Sequence, residues 1–211
     1  MLQPKRRERT SPAMHALPFW LVTLRLLWGP AMVLLALDHR RGLWLVIPIA
    51  AALISDIYDG RIARNYGVAT AGLRRYDSAA DTIFYICVAI SAWILEREAL
   101  ITVAKLLIAI AILEAFRYTF DWVKFRHEAS YHMWSAKLWD LYLAASASAL
   151  LGWSIAGALL RMVLIIGIIS DLEGIAISVV LPRWTHDVPT IFHAVRLRNF
   201  LTREQPVLIS K

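Results

Sequence analysis

Four aspartates in one short segment of the chain have a spacing that suits catalysis. The segment, residues 55–81, reads SDIYDGRIARNYGVATAGLRRYDSAAD. Asp56 and Asp59 are three residues apart, and Asp77 and Asp81 are four apart. In a helix either spacing places both side chains of a pair on one face. Because the two pairs stand at the facing ends of consecutive apolar stretches, we expect four carboxylates to converge on one small volume.

Four carboxylates in such a volume require a cation. Like charges repel strongly where the dielectric is low, and some of the acids would be neutralised unless a positive partner joined them. Oxygen ligands in this number suit Mg²⁺, Mn²⁺ or Ca²⁺ rather than zinc. The sequence therefore predicts a divalent-metal site, for Mg²⁺, Mn²⁺ or Ca²⁺, at Asp56, Asp59, Asp77 and Asp81.

The residues that follow Asp59 favour a phosphorylated ligand beside this metal. Gly60 and Ala63 remove side-chain bulk, so a substrate could approach the backbone closely. Arg64 is five residues beyond Asp59 and could reach a phosphate oxygen. The chemistry that needs this set is a diphosphate held by divalent metal, with an arginine and open space beside it.

The pattern DxxDGxxAR followed by DxxxD resembles the signature of the CDP-alcohol phosphatidyltransferases. The resemblance extends to TLRLLWGP (23–30), and to SAKLW (135–139). Two positions depart from the family's pattern. Leu73, with Gly72 beside it, stands where the family usually has a glycine, and Trp20 stands where an asparagine is often found.

The resemblance implies a transferase of phospholipid biosynthesis that takes a CDP-linked donor, most often CDP-diacylglycerol, and an alcohol acceptor, and releases CMP. It implies that Asp56, Asp59 and Asp77 hold metal ions on the diphosphate, and that Asp81, also near the metals, takes the proton from the acceptor. Homodimerisation is implied as well. The residues expected to contact the donor are Gly60, Ala63, Arg64 and, through its hydroxyl, Thr70.

The elements that must position these residues are apolar helices. Of the 211 residues 59% are hydrophobic and only 18% are charged, which excludes a disordered chain, a fibrous rod and most soluble classes. The single cysteine, Cys87, cannot form an internal disulfide. Six apolar stretches each approach the ~20 residues that a membrane-spanning helix needs. They cover residues 18–38, 43–58, 79–95, 99–119, 138–156 and 158–182.

We therefore predict an all-α polytopic membrane protein with six transmembrane helices and amphipathic terminal segments. Residues 1–15 form a basic arm, 16–182 the transmembrane domain, and 183–211 a tail on the membrane surface. Most of the 23 Lys and Arg residues fall in the arm, the second and fourth connections and the tail. The positive-inside rule then places both termini and the active site on the cytoplasmic side of a bacterial-type inner membrane.

Several other charged residues lie in or beside the spans. Arg25 could reach lipid headgroups or the acidic site, and it is also a candidate contact for the acceptor. Lys137 could bind an anionic acceptor or simply mark the interface. Glu114 and Arg117 are three residues apart, so a structural ion pair is expected. Asp171 and Glu173 fall near mid-membrane, where they must face protein or water, and the sequence assigns them no role.

Two rival functions stay open from the sequence. An intramembrane prenyltransferase also holds Mg²⁺ and a diphosphate on aspartate-rich helices, although such proteins generally have more spans. A divalent-cation transporter would place its carboxylates near the midplane, between broken helices. The acceptor also stays open between glycerol 3-phosphate, inositol phosphate, serine and other alcohols. Close-spaced small residues in the fifth span (LAASASALLG) are compatible with a helix or subunit contact.

Overall fold

The computed structural model describes residues 12–66, 70–126, 131, 133–185 and 188–204, and within these ranges every regular element is a helix. The predicted all-α class is therefore confirmed. The helices, in chain order, are α1 (Pro12–Leu37), α2 (Leu43–Asn65), α3 (Ala71–Leu95), α4 (Arg97–Thr102), α5 (Ala104–Phe125), α6 (Trp134–Trp153), α7 (Ala158–Val180) and α8 (Ile191–Glu204).

The chain forms two compact units. The first comprises residues 1–97 together with 147–155, and thus holds α1, α2, α3 and the end of α6. The second comprises residues 98–146 together with 156–211, and holds α5, the beginning of α6, α7 and α8.

In the first unit, α1 packs against both α2 and α3. The approach of α1 to α3 is close at Gly29, where an added Cβ would lie 3.2 Å from Cys87 Sγ and 3.3 Å from Phe84 Cα. Cys87 is a buried packing residue. At the far end, the Gly42 N–H donates to the Gly152 carbonyl at 2.9 Å, which ties the α1–α2 connection to the end of α6. These contacts fix α1 between the two helices that carry the aspartates.

In the second unit, α7 packs against α5 and α8. The α7–α8 contact contains an apolar core in which α8 is anchored on α7 and the start of α6. Glu173 Oε1 accepts a hydrogen bond from the Ile191 N–H at 3.3 Å. Glu173 thus caps the first turn of α8, where backbone N–H groups lack partners within the helix. The buried residues of this core are Met133, Ile177, Leu181, Val188 and Ala194.

Asp171, the other acid of the sixth predicted span, is also in contact with protein. Its side chain is buried, and Oδ1 lies 3.6 Å from Nη1 of Arg117 on α5. Arg117 also donates to Glu114 at 2.6 Å, so the expected ion pair is present. Asp171 and Arg117 line a cavity of about 240 Å³ together with Tyr131, Trp139 and Ser170.

Within the described part of the chain, three helices are long and apolar enough to cross a membrane, namely Ala16–Leu37, Arg75–Leu95 and Ala158–Val180. Leu43–Tyr58 is a shorter apolar stretch. Large apolar side chains on these helices are exposed, among them Leu34 and Ile169. These features are typical of an integral membrane protein. Because α5 and α6 lie where the fourth and fifth spans were expected, the architecture is compatible with six spans, and that number stays a prediction.

Candidate metal centre

The acidic segment places three aspartates together in the first unit. One carboxylate oxygen from each of Asp56, Asp77 and Asp81 lies within 4.8 Å of the others. Asp56 comes from α2, whereas Asp77 and Asp81 come from adjacent turns of α3. The four-residue spacing keeps Asp77 and Asp81 on one face of α3. Asp56 of α2 meets them there.

The three aspartates are open to the surroundings. The exposed fraction of the side chain is 51% for Asp56, 32% for Asp77 and 33% for Asp81. A ligand that reached this end of the unit could therefore contact all three carboxylates without a rearrangement of the helices.

Thr70 fixes the start of α3, and hence the position of Asp77 and Asp81. Its Oγ1 accepts a hydrogen bond from the Leu73 N–H at 3.1 Å, as the residue that caps a helix N-terminus does. Leu73 therefore lies inside the first turn of α3, a position that needs no glycine. The departure from the family's pattern at this residue leaves the helix that carries the carboxylates intact.

Arg25 of α1 points at the acidic cluster, which decides between the two alternatives left by the sequence. Its side chain is 2% exposed. Nη1 lies 3.0 Å from Asp77 Oδ1 and 3.5 Å from Asp56 Oδ1, and it also donates to Asp81 Oδ1. Whether Arg25 also binds an acceptor stays a prediction.

Two hydroxyl-bearing residues support this arrangement and were not identified from the sequence. Ser55 Oγ lies 3.3 Å from Arg25 Nε and donates to the Ala52 carbonyl at 2.8 Å. Tyr76 shares a hydrogen bond of 2.9 Å with the Thr23 hydroxyl. Ser55 and Tyr76 directly precede Asp56 and Asp77 in the chain, which is the only signal that could have pointed to them.

An aromatic contact strengthens the link between α1 and α3 beside the cluster. The rings of Phe19 and Tyr76 stack with centroids 5.1 Å apart. Thr23 is two residues before Arg25, and Tyr76 is adjacent to Asp77. The position of the guanidinium relative to the α3 carboxylates is thus fixed by a second contact between the same two helices.

The donor set of this cluster fits a divalent metal ion. Mg²⁺ and Mn²⁺ prefer carboxylate oxygens, and the cluster offers three carboxylates. A single positively charged nitrogen of Arg25 already contacts all three, so one cation can reach them together. Among the described side chains of the cluster, three carboxylates face one guanidinium, and this excess of negative charge favours a further cation.

The described cluster does not include five further predicted site residues. Asp59, Gly60, Ala63 and Arg64 lie within α2, but their side-chain environments are outside the part of the chain that the structure describes. Lys137 lies in the second unit, and its Nζ is 5.0 Å from the centroid of the Trp134 ring. That cation–π contact is typical of an interfacial lysine.

Comparison with known proteins identifies the family of the chain. The family model for CDP-alcohol phosphatidyltransferase matches residues 15–185. No curated protein and no solved structure matches the chain. The matched region contains the acidic segment, Arg25 and most of the described helices, and extends over most of the sequence. The chain therefore belongs to the CDP-alcohol phosphatidyltransferase family, a family of transferases of phospholipid biosynthesis.

Proposed function

We propose that this protein transfers a phosphatidyl group from CDP-diacylglycerol to an alcohol acceptor, with release of CMP, in a reaction that depends on Mg²⁺ or Mn²⁺. The observation that carries the proposal is the meeting of Asp56, Asp77 and Asp81 within 4.8 Å, in a chain of this family. Three clustered carboxylates suit a metal-bound diphosphate, which is the part of the donor where the bond breaks.

Asp56, Asp59, Asp77 and Asp81 would hold the metal. A divalent ion bound there supplies charge neutralisation on the diphosphate and on the leaving CMP. The proposed role of Asp56 and Asp77 is supported by their contacts within the cluster, whereas that of Asp59 rests on the motif alone. The three clustered carboxylates are about one third to one half exposed, so a ligand can reach them.

Asp81 is the proposed general base. It takes the proton of the acceptor hydroxyl, whose oxygen then attacks the phosphorus attached to the diacylglycerol part of the donor. The bond from that phosphorus to the bridging oxygen breaks, and CMP leaves with the electron pair. The support for Asp81 is its place one turn beyond Asp77, on the same face of α3 and in the same cluster. A carboxylate beside the reacting phosphate is within reach of the attacking hydroxyl.

The donor contacts are proposed for Gly60, Ala63, Arg64 and Thr70. The small residues would leave space for the nucleotide, and the arginine would bind a phosphate oxygen. The Thr70 hydroxyl accepts a hydrogen bond from the Leu73 N–H. Its own proton can still be donated to an oxygen of the CDP-linked substrate. Both uses of this hydroxyl are compatible.

The acceptor, the sidedness and the oligomeric state are proposals that rest on fewer observations. Lys137 and Arg25 are proposed as contacts for an anionic acceptor such as glycerol 3-phosphate. The distribution of Lys and Arg supports a cytoplasmic active site and cytoplasmic termini. Homodimerisation is supported by the resemblance to the family and by the small residues of α6.

The proposal is tested with the purified full chain in lipid nanodiscs. CDP-diacylglycerol is incubated with a panel of labelled alcohols, CMP is quantified, and the lipids are identified by mass spectrometry. We expect one new phospholipid, with one CMP released for each molecule formed. Excess chelator should abolish this activity, and Mg²⁺ or Mn²⁺ should restore it. No CMP release with any acceptor, or full activity in excess chelator, would overturn the proposal. Metal flux into proteoliposomes without CMP release would instead support a transporter.

A further inference from the structure

We propose that Arg25 is a positioning residue that holds the three carboxylates together when no metal is bound, and that it weakens the binding of the divalent ion. This inference rests on the proposed function, since it concerns the same metal centre. It concerns a residue outside the acidic motif, and it assigns to that residue control over metal affinity rather than contact with the reacting atoms.

The burial of the partners is unequal, and this identifies Arg25 as the fixed member of the cluster. The arginine side chain is 2% exposed, whereas the Asp56 side chain is 51% exposed. A buried guanidinium in a membrane-spanning helix is costly without partners, whereas a half-exposed carboxylate retains access to water or to a ligand. The carboxylates are therefore arranged around the arginine.

The guanidinium connects all three helices of the first unit. It extends from α1, its Nε lies 3.3 Å from Ser55 Oγ on α2, and its Nη1 contacts the two aspartates of α3. Ser55 is itself held by its bond to the Ala52 carbonyl. Without a positive group at this point, the like charges of α2 and α3 would separate these helix ends. Arg25 thus preassembles the ligand set.

The same contacts place Arg25 in competition with a metal ion. Nη1 contacts Oδ1 of Asp56, Asp77 and Asp81, and these are atoms that a shared cation would take. A metal ion must either displace Nη1 or use the second oxygen of each carboxylate with the positive charge of Arg25 still close by. In both cases the guanidinium lowers the affinity of the site for a divalent cation.

The test compares the Mn²⁺ affinity and the melting temperature of Arg25→Met with those of the wild-type protein. Mn²⁺ binding is followed by electron paramagnetic resonance, and the melting temperature is measured in excess chelator and in saturating Mn²⁺. We expect Arg25→Met to bind Mn²⁺ about fivefold or more tightly, because a typical coupling between two bound groups has this size. We also expect it to melt earlier in chelator and to recover in Mn²⁺. Arg25→Lys should keep an affinity near that of the wild type, because it keeps the charge.

Arg117→Met is the matched control. Arg117 is also an ion-paired arginine of an apolar helix, with Glu114 at 2.6 Å and Asp171 at 3.6 Å. Its removal should lower the melting temperature equally in chelator and in Mn²⁺. A general loss of stability would give that pattern for both variants, whereas a metal-dependent recovery confined to Arg25→Met supports the proposal.

The outcomes separate this inference from the proposed function. Absence of Mn²⁺ binding to the wild-type protein would overturn the metal-dependent function itself. Binding to the wild type, with unchanged affinity and unchanged metal-dependent stabilisation in Arg25→Met, would overturn only the role of Arg25. If Arg25→Met cannot be purified, Ser55→Ala removes the support of Nε and keeps the charge. A smaller shift of Mn²⁺ affinity in the same direction then supports the proposal, and no shift overturns it.

Discussion

Two arginine–carboxylate clusters, one in each compact unit, differ in a way that separates a ligand site from a structural ion pair. Arg25 contacts three aspartates from two helices, and it is the most buried member of its cluster. Arg117 is 23% exposed and pairs with two acids, one of which is three residues before it on its own helix. Three carboxylates meet one arginine in the first cluster and two meet one in the second, so the excess of negative charge that favours a further cation is larger at Arg25.

The surroundings of the two clusters differ as well. Arg117 packs on α7 at Gly174, where an added Cβ would lie 3.1 Å from Arg117 Cδ. Asp171 opposite it is 3% exposed. In the first cluster the arginine is buried and the three acids are about one third to one half exposed. In the second cluster the exposure is divided, because the Glu114 side chain is 44% exposed while Asp171 is buried beside Arg117. The first cluster is therefore the one in which all the acids are accessible to a shared ligand.

The largest expected difference between the clusters is in turnover. Asp81→Asn should lower kcat about 100- to 10,000-fold, because the amide cannot take the acceptor proton. Donor binding should largely survive. Asp171→Asn should keep turnover within a few-fold of the wild type, since its carboxylate pairs with Arg117. Measurement of CMP release and of donor affinity checks both variants, and near wild-type turnover in Asp81→Asn would exclude it as the base.

Metal dependence should separate the clusters next. Asp77→Asn should raise the Mn²⁺ concentration for half-maximal activity about tenfold or more, because one ligand charge is lost from the shared site. Glu114→Gln, the matched change in the second unit, should leave that concentration unchanged. A titration of CMP release with Mn²⁺ measures both. If both variants raised this Mn²⁺ concentration equally, the cause would be the general loss of negative charge rather than the loss of a metal ligand.

A change in helix packing should affect the two units differently. Gly29→Val would separate α1 from α3, because an added Cβ already lies 3.3 Å from Phe84 Cα. Gly167→Val would separate α7 from Trp139, whose Nε1 lies 2.7 Å from an added Cβ. Each should lower the free energy of unfolding by about 1–3 kcal/mol. We expect Gly29→Val to lower the turnover of the folded fraction more, since α1 carries Arg25, and equal losses would contradict this.

The smallest expected effect concerns the helix cap beside the acidic cluster. Thr70→Ala should lower the free energy of unfolding by about 1 kcal/mol, because the Leu73 N–H loses its partner. Thr70→Ser should keep the free energy of unfolding near that of the wild type, because it keeps the hydroxyl. Thermal unfolding and the donor KM are measured together. Unchanged stability in Thr70→Ala would contradict the predicted effect of the cap, and a raised donor KM would support the proposed donor contact.

The meeting of Asp56, Asp77 and Asp81 could be predicted because it depends on local spacing and on two consecutive helices. The direction of Arg25 could not, because α1 is apolar on most of its surface and no periodicity indicates which face meets α3. The sequence also could not predict which residues Asp171 and Glu173 contact. Arg117 on α5 and the first turn of α8 are distant in sequence, and which of them an acid meets depends on tertiary packing.

The central claim, that carboxylates of α2 and α3 share a divalent ion, is tested most directly by anomalous X-ray scattering from crystals grown with Mn²⁺. We predict an anomalous peak at coordination distance from Asp56, Asp77 and Asp81. A protein crystallised in saturating Mn²⁺ with no peak at these carboxylates, or with its peak elsewhere, would contradict it.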